Sequence, residues 1–408
     1  MKIIHTSDWH LGQHFMGKSR ELEHQAFLAW LLDQIKIHEV NALIVAGDIF
    51  DTGTPPSYAR KLYNDFIVAL LPLGCQLVII GGNHDSVATL HESRELLCCL
   101  NCLVVGGIRE NLAEQIHILH DKQGQPGAIL CAVPYLRPQE LVTSQAGENS
   151  DDKAQGLSQA IKQHYTNLYD LACEKRQELG KNLPIIGTGH LMVLGGQSSE
   201  SVRDIYIGTL EGFPAQAFPP MDYLALGHLH RGQIAGKQDH IRYSGSPIPL
   251  SFDETKQIKQ VLLVEANPNQ PIEIKSLSIP IFRKLATIRG KISEIESQFK
   301  TFTQSEMLDS SLKPSWLEVE IQDNDYLNNI QSQLQPLWEN YPVEVLRIKR
   351  LQQNIPELRR ELKESLSELT VEEVFQRRLQ LETFEDDTEQ EQLTQLFKEI
   401  ITTLSEET

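Results

Sequence analysis

Short apolar runs alternate with helical spacing along positions 1–275 of this chain. Runs at 2–6, 42–46, 76–80, 129–132, 185–188, 223–226 and 261–265 have the length of buried strands, and several end directly in glycine. Glycine there marks a strand running out into a loop. Between the first two runs, Leu22, Phe27, Trp30, Leu31 and Ile35 recur at helical intervals and predict a helix over 20–38. Strands and helices taken in turn predict an α/β core. Residues 147–181 are polar and then helical in pattern, which predicts an insertion or connecting helix outside the core.

The pattern changes after Asn267-Pro268-Asn269-Gln270-Pro271, a turn sequence. Strand (283–289), helix (291–302), strand (316–322), helix (326–338) and strand (343–349) then predict an α+β unit of about 70 residues, small for a core of its own. Beyond Pro356 the chain reads as helical. Thr370-Val371-Glu372-Glu373 has the form of a capping box with Leu369 and Val374 as its staple, and Leu393, Leu396, Phe397 and Ile400 make an amphipathic stripe. The expected division is 1–275, 276–350 and 351–408.

Composition narrows the class. The 408 residues are 40% hydrophobic and 23% charged, the balance of a soluble globular chain. No apolar run reaches the roughly 18 residues of a membrane span. The first residues enter a strand pattern at once, and six cysteines show no framework spacing, so a cytoplasmic, reducing setting is expected. Net charge is −18, the wrong sign for holding a polyanion by general attraction, and half of that excess lies beyond position 350. An anionic substrate would need a local source of positive charge.

Five segments supply the chemistry: Asp8-Trp9-His10, Gly47-Asp48-Ile49-Phe50-Asp51, Gly82-Asn83-His84-Asp85, Gly189-His190 and Gly227-His228-Leu229-His230. Each lies at or just past the end of a predicted strand, where the ligand crevice of an α/β sheet forms. Histidine, aspartate and asparagine are metal donors. In extended chain, members two apart share a face, ~6–7 Å from each other. Asp8, His10, Asp48, Asn83, His190, His228 and His230 make seven ligands, too many for one four-coordinate zinc. They suffice for two ions sharing a carboxylate, and Asp48 is the natural bridge. Two divalent ions, two carboxylates and a hydroxide leave about +1, which suits a phosphodiester; two ions about 3.5–4 Å apart stabilise attacking and leaving oxygens alike.

The order of these segments resembles that of the calcineurin-like metallophosphoesterases. The wording Thr6-Ser7-Asp8-Trp9-His10-Leu11-Gly12, Ala46-Gly47-Asp48-Ile49-Phe50-Asp51 and Leu226-Gly227-His228-Leu229-His230 is similar to the members that act as DNA-repair nucleases beside an SbcC-type ATPase. Val133-Pro134-Tyr135-Leu136-Arg137-Pro138 and Ser244-Gly245-Ser246-Pro247 extend the likeness over nearly the whole chain. The resemblance implies a four-layer α/β/β/α sandwich, a small α+β capping domain that guides DNA, and a C-terminal helical segment that docks on the ATPase coiled coil. It implies one ion on Asp8, His10, Asp48 and His230 and a second on Asp48, Asn83, His190 and His228, with Mn(II) favoured. His84 is then not a ligand but faces the scissile phosphate, either steadying the transition state or protonating the leaving 3′-oxygen, while Asp51 orients His84 and Asp85 caps or braces the loop. The implied activity is endonuclease on hairpins and ends and 3′-to-5′ exonuclease on double strands, in DNA repair, replication and recombination, by a homodimer of nuclease subunits. A nucleotide or small-molecule phosphodiesterase has no need of a second domain and a docking tail, and a non-catalytic scaffold has no need of a complete ligand set.

Other features are weaker. Cys98, Cys99 and Cys102 lie on an apolar stretch and are expected in a core, as free cysteines commonly are. His5 and His24 are expected to be core or surface histidines. His14, Lys18 and Arg20 follow the first motif and suit either the phosphate-facing rim of the site or solvated surface. Arg347, Lys349 and Arg350 suit either DNA backbone or an exposed face.

Overall fold

Strands that are apolar on both faces need a packing partner on each side, and this fold supplies both. The computed structural model describes residues 1–142, 150–202, 212–306, 312–322, 334–338, 341 and 343–350. Two six-stranded sheets form its centre. The first runs in the order Glu273–Ser278, Gln260–Glu265, Lys2–Thr6, Ala42–Ala46, Gln76–Ile80 and Cys102–Val105. Its last four strands are parallel, and Gln260–Glu265 is antiparallel to both its neighbours. The second runs Gln233–Ile234, Ile241–Tyr243, Tyr223–Gly227, Ile185–His190, Pro126–Cys131 and Ile116–His120, with the middle four parallel.

Alternation along each strand divides its side chains between two cores. Ile3, Ile44, Val78 and Ile80 of the first sheet share an inter-sheet core with Leu130, Ile186 and Ala225 of the second. The intervening Ile4, Leu43, Val45, Leu77 and Ile79 pack on the outer side with Phe27, Leu31, Phe66 and Ile67 of the helices Glu21–Ile37 and Ser57–Leu70. Beyond the second sheet, Ile129, Cys131, Leu224 and Leu226 meet Leu157, Ile161, Tyr165 and Leu168 of the helix Ser150–Glu178. Each of the Val, Leu, Ile and Phe side chains among them contributes about 1.5–3 kcal/mol on burial. The layers are therefore helix, sheet, sheet, helix, the expected α/β/β/α sandwich. The Ser150–Glu178 helix corrects the expectation of a segment outside the core: its narrow apolar stripe packs on the outer face of the second sheet, alongside Val193, Phe213 and Met221. No described helix is long and apolar enough to cross a membrane.

Residues 273–278 continue the first sheet past the expected boundary at 275. A small unit follows, with three parallel strands, Arg283–Gly290, Leu312–Ile321 and Val343–Arg350. Ile295 and Phe299 of its helix Ile292–Glu306 pack with Ile288, Leu317 and Val319. Of the second helix expected at 326–338 only a short turn, Gln335–Leu337, is described. The tail expected to be helical beyond Pro356, with its capping box, lies outside the described residues.

The small unit is joined to the sandwich by Phe15, Phe252, Leu285 and Trp316. Arg20 and Arg283 both donate to Glu23 Oε1, at 2.9 and 3.0 Å, and their guanidinium groups lie 5.5 and 4.5 Å from the Trp316 ring centre. Arg20 is thus buried in this junction, neither at a phosphate-facing rim nor in solvent, because Glu23 and the Pro249 carbonyl satisfy it. Lys18 pairs with Glu344 of the small unit, and His14 stays exposed. Cys102 is buried as expected, but Cys98 and Cys99 are exposed: they end a short helix, Arg94–Cys99, that turns only Leu97 inward.

His5 and His24 are both core histidines. The His5 ring spans the sheets, from the Tyr223 hydroxyl (2.8 Å) to the Leu226 carbonyl (3.2 Å). Burial pushes both imidazoles down to about 3, helped at His24 by Arg20. Both stay neutral in the folded chain and take up a proton on unfolding below pH ~6.5. Their contribution is therefore whole above that pH and is lost as pH falls toward 3, by about 1.4 kcal/mol per pH unit for each histidine. We expect the urea-unfolding free energy of metal-free His24→Leu to fall less steeply than wild type between pH 6 and 4.5, by about that amount per unit. Identical slopes would show that His24 carries no such linkage.

Candidate metal centre

Parallel strands deliver their C-terminal ends to one edge, and the five segments meet there. Asp8, Asp48 and Asn83 follow strands of the first sheet; His190 ends a strand of the second, and His228 and His230 follow its neighbour. Reaching that edge requires unusual backbone. Asp8 (φ 54°), His10 (φ 48°), Asp48 (φ 52°) and His228 (φ 101°) all occupy the left-handed region. For residues with a Cβ this costs on the order of 1–3 kcal/mol each, and such strain gathers at functional sites. The glycines ahead of two motifs serve close approach: a Cβ on Gly47 would lie 2.1 Å from His190 Nδ1, and one on Gly82 2.1 Å from Asp48 Oδ1.

All seven expected ligand residues come together. Donor atoms of Asp8, His10 and His230 lie within 4.8 Å of one another, as do those of Asp8, Asp48 and His190, and those of His10, Asp48 and His84. Asp48 is at the middle, its Oδ2 3.2 Å from His190 Nε2 and 3.6 Å from His10 Nε2. Asn83 Oδ1 lies 2.9 Å from His190 Nε2 and 3.3 Å from His228 Nδ1. The outer ring atoms are held from behind: His190 Nδ1 by the Ala46 carbonyl (3.0 Å), His10 Nδ1 by the Asp51 carboxylate (3.1 Å) and His230 Nδ1 by the Ser201 hydroxyl (2.6 Å). Such contacts fix the tautomer and aim the other nitrogen inward.

The donors suit a cation. His10 Nε2 is buried with no hydrogen-bond partner, and oxygens of Asp48 and Asn83 converge on one nitrogen of His190. Burial alone would lower His190, yet Asp48 outweighs it and holds the imidazole up to about 9. Burial would likewise raise Asp48, but His190 and His10 hold its carboxyl well below the usual carboxylate range. Beside them, burial and the neighbouring His190 push His228 well below the ordinary histidine value. The pocket draws positive charge to Asp48 while keeping a second imidazole neutral, as a metal ligand must be.

His84 lines a cavity of about 330 Å³ together with His10, His230, Ser201, Phe252 and Arg347. Its main-chain N–H donates to Asp48 Oδ1 (2.9 Å), and its Nδ1 meets the main-chain carbonyl of Asp51 at 2.8 Å. This hydrogen bond from the His84 ring is thus accepted by the Asp51 backbone, whereas the Asp51 carboxylate bonds His10. Asp85 braces two loops, accepting from Ile49 N (3.2 Å), Phe50 N (3.0 Å) and Gly82 N (2.9 Å). Arg347 reaches this cavity already paired with Glu200 and Glu318, and Lys349 pairs with the same two carboxylates. Ser201 and Glu254, behind His230, carry no motif: they are joined to it only through the fold.

A double-sheet sandwich with buried histidines, aspartates and an asparagine at its parallel strand ends is the plan of a metallophosphoesterase. Residues 1–232 match the calcineurin-like phosphoesterase family, and residues 281–383 match the type 5 capsule protein repressor C-terminal domain. The SbcD subunit of the SbcCD nuclease from Escherichia coli K12 is 49% identical over 408 residues, covering 100% of this chain and 99% of that protein. The proteins of the same name from Rhodobacter capsulatus and Bacillus subtilis are 35% and 32% identical, over 62% and 66% of this chain and 64% and 67% of theirs. The chain belongs to the calcineurin-like phosphoesterases and, within them, to the SbcD nuclease subunits, which are metal-dependent nucleases.

Proposed function

We propose that this chain hydrolyses DNA phosphodiesters at a centre for two divalent ions, Mn(II) by preference, as a homodimer working with an SbcC-type ATPase in the cytoplasm. Its substrates are duplex ends and hairpins. One ion would be held by Asp8, His10, Asp48 and His230, the other by Asp48, Asn83, His190 and His228. The observation that carries this reading is the gathering of the other six side chains around Asp48. When bound, such ions supply Lewis-acid stabilisation and a water acidic enough to attack at neutral pH.

The chain's own groups do the remaining work. The Asp8 carboxylate is fixed by the His228 N–H (2.9 Å) and the Ser7 hydroxyl (2.5 Å), and the Asp51 carboxylate fixes the His10 ring. His84 donates its Nδ1 proton to the Asp51 carbonyl, so as an imidazolium it would give its Nε2 proton to the departing 3′-oxygen and return to the neutral Nδ1–H form. Arg347, from the small unit, forms part of the cavity wall, so the substrate path is bounded by both units.

Cleavage of blunt duplex and hairpin DNA, set beside a chromogenic phosphodiester, tests the proposal in the full chain with Mn(II). We expect DNA to be cut, with loss of cleavage in chelator and recovery on adding Mn(II). Turnover of the chromogenic ester alone would make this a small-molecule phosphodiesterase, and absence of any turnover would make it a scaffold.

A further inference from the structure

We propose that Glu254, acting through Ser201, is a positioning residue that fixes the tautomer of His230 and so sets the affinity of one of the two ion positions. The inference rests on the two-ion reading above. It starts from a carboxylate with no exposure to solvent, at the end of the short turn Phe252–Glu254. Its Oε1 accepts from the hydroxyls of Ser201 (2.5 Å), Ser199 (2.7 Å) and Ser251 (3.1 Å). Its Oε2 accepts from Lys259 Nζ (2.6 Å) and the Leu250 N–H (3.1 Å).

Proton accounting gives the direction of each bond. An ionised carboxylate only accepts, so the hydrogen between Glu254 and Ser201 belongs to the serine. A hydroxyl has a single hydrogen, so at its 2.6 Å contact with His230 Nδ1 the Ser201 oxygen is the acceptor. His230 therefore carries its proton on Nδ1 and turns the lone pair of Nε2 toward Asp8 and His10. Lys259 completes the clamp by donating to the His230 main-chain carbonyl (2.9 Å), so ring and backbone hang on the same ion pair. On the far side, Glu200 pairs with Arg347 and Lys349, which ties the Ser199–Ser201 strap to the small unit.

Energetics favour a positional role over a stabilising one. A buried ion pair forfeits the hydration of both charges, and apolar residues of equal size often stabilise a fold as well or better. Glu254 and Lys259 are both buried. What an apolar pair lacks is an acceptor to orient Ser201 and a donor for the His230 carbonyl. Groups in this position behind a metal-bound histidine typically govern metal affinity by about 10–100-fold.

Mn(II) titration followed by electron paramagnetic resonance of the free ion, on the full chain without DNA, separates the alternatives. We expect wild type to bind two ions. Glu254→Gln and Ser201→Ala should each weaken one ion by about 10–100-fold and leave the other nearly unchanged; the metal-free melting temperature should hold in Ser201→Ala but fall in Glu254→Gln, which leaves the buried Lys259 without its counter-charge. Ser201→Thr, which keeps a hydroxyl, should restore the lost affinity. Two ions in wild type with both affinities unaltered in the variants would overturn this inference while leaving the centre intact. Fewer than two ions in wild type would overturn the two-ion reading, and the positioning role with it. Should Glu254→Gln fail to fold, Ser201→Ala, on a half-buried strap, decides alone.

Discussion

Asp48→Ala is expected to lower Mn(II)-dependent DNA cleavage by at least about 10³-fold, equivalent to roughly 4 kcal/mol of transition-state stabilisation. The Asp48 carboxylate faces histidines from both expected ion positions, His10 and His190, at 3.6 and 3.2 Å, while its other oxygen holds the His84 main-chain N–H. Alanine removes all three contacts. Asp48→Asn is the sharper variant, because its Oδ1 still accepts from His84 while an amide donor replaces the oxygen that faces the two histidines. Both variants should lose tight binding of the pair of ions in a Mn(II) titration. A second readout needs no metal. With the carboxylate gone, burial is left to act on His190, so its imidazole should fall from about 9 to below the ordinary histidine value, as nuclear magnetic resonance titration would show. Full cleavage by Asp48→Asn would remove the shared carboxylate from the chemistry.

The centre was legible in sequence because its parts are local. Each ligand sits close in sequence to an apolar run whose length already indicates a strand, and parallel strand ends share an edge. Less of the surrounding support could be read. Ser201 and Glu254 lie far from His230 along the chain, one before it and one after, in segments without a recognisable motif. Only the fold brings them behind its ring. Asp51 shows another limit: spacing locates the residue beside His84 but does not say whether the carboxylate or the carbonyl makes the bond.

Burial was misread where a polar face conceals a packing role. The Ser150–Glu178 helix is mostly polar, yet one stripe through Ile161, Tyr165 and Leu168 enters the core on the outer face of the second sheet. Arg20 looks like a surface cation until Glu23, Arg283 and Trp316 close round it. Strands such as Gln233–Ile234, Ile241–Tyr243 and Glu273–Ser278 are too short or too polar to show a run of their own. Glu273–Ser278 is an edge strand, paired only with Gln260–Glu265 among the described residues, and an edge can leave one side of its ladder to solvent.

His84→Ala should leave ion binding intact and still cost about 10²–10⁴ in the rate of DNA cleavage. The separation follows from which atoms do what. The contact between His84 and Asp48 is made by the backbone N–H, which alanine retains, and Asn83 reaches His190 and His228 without help from the His84 ring. The substitution takes away an imidazole at the cavity wall, held through Nδ1 by the Asp51 carbonyl and set edge-on against the His10 ring. If that ring protonates the leaving 3′-oxygen, its value depends on how poor the leaving group is. An alkoxide departs badly without a proton, whereas a nitrophenolate departs readily, so the loss on a chromogenic phosphodiester should be much smaller than on DNA. Equal losses on the two substrates would assign the ring to stabilising charge on the phosphoryl oxygens instead. Unchanged DNA turnover, with both ions still bound, would take His84 out of the mechanism.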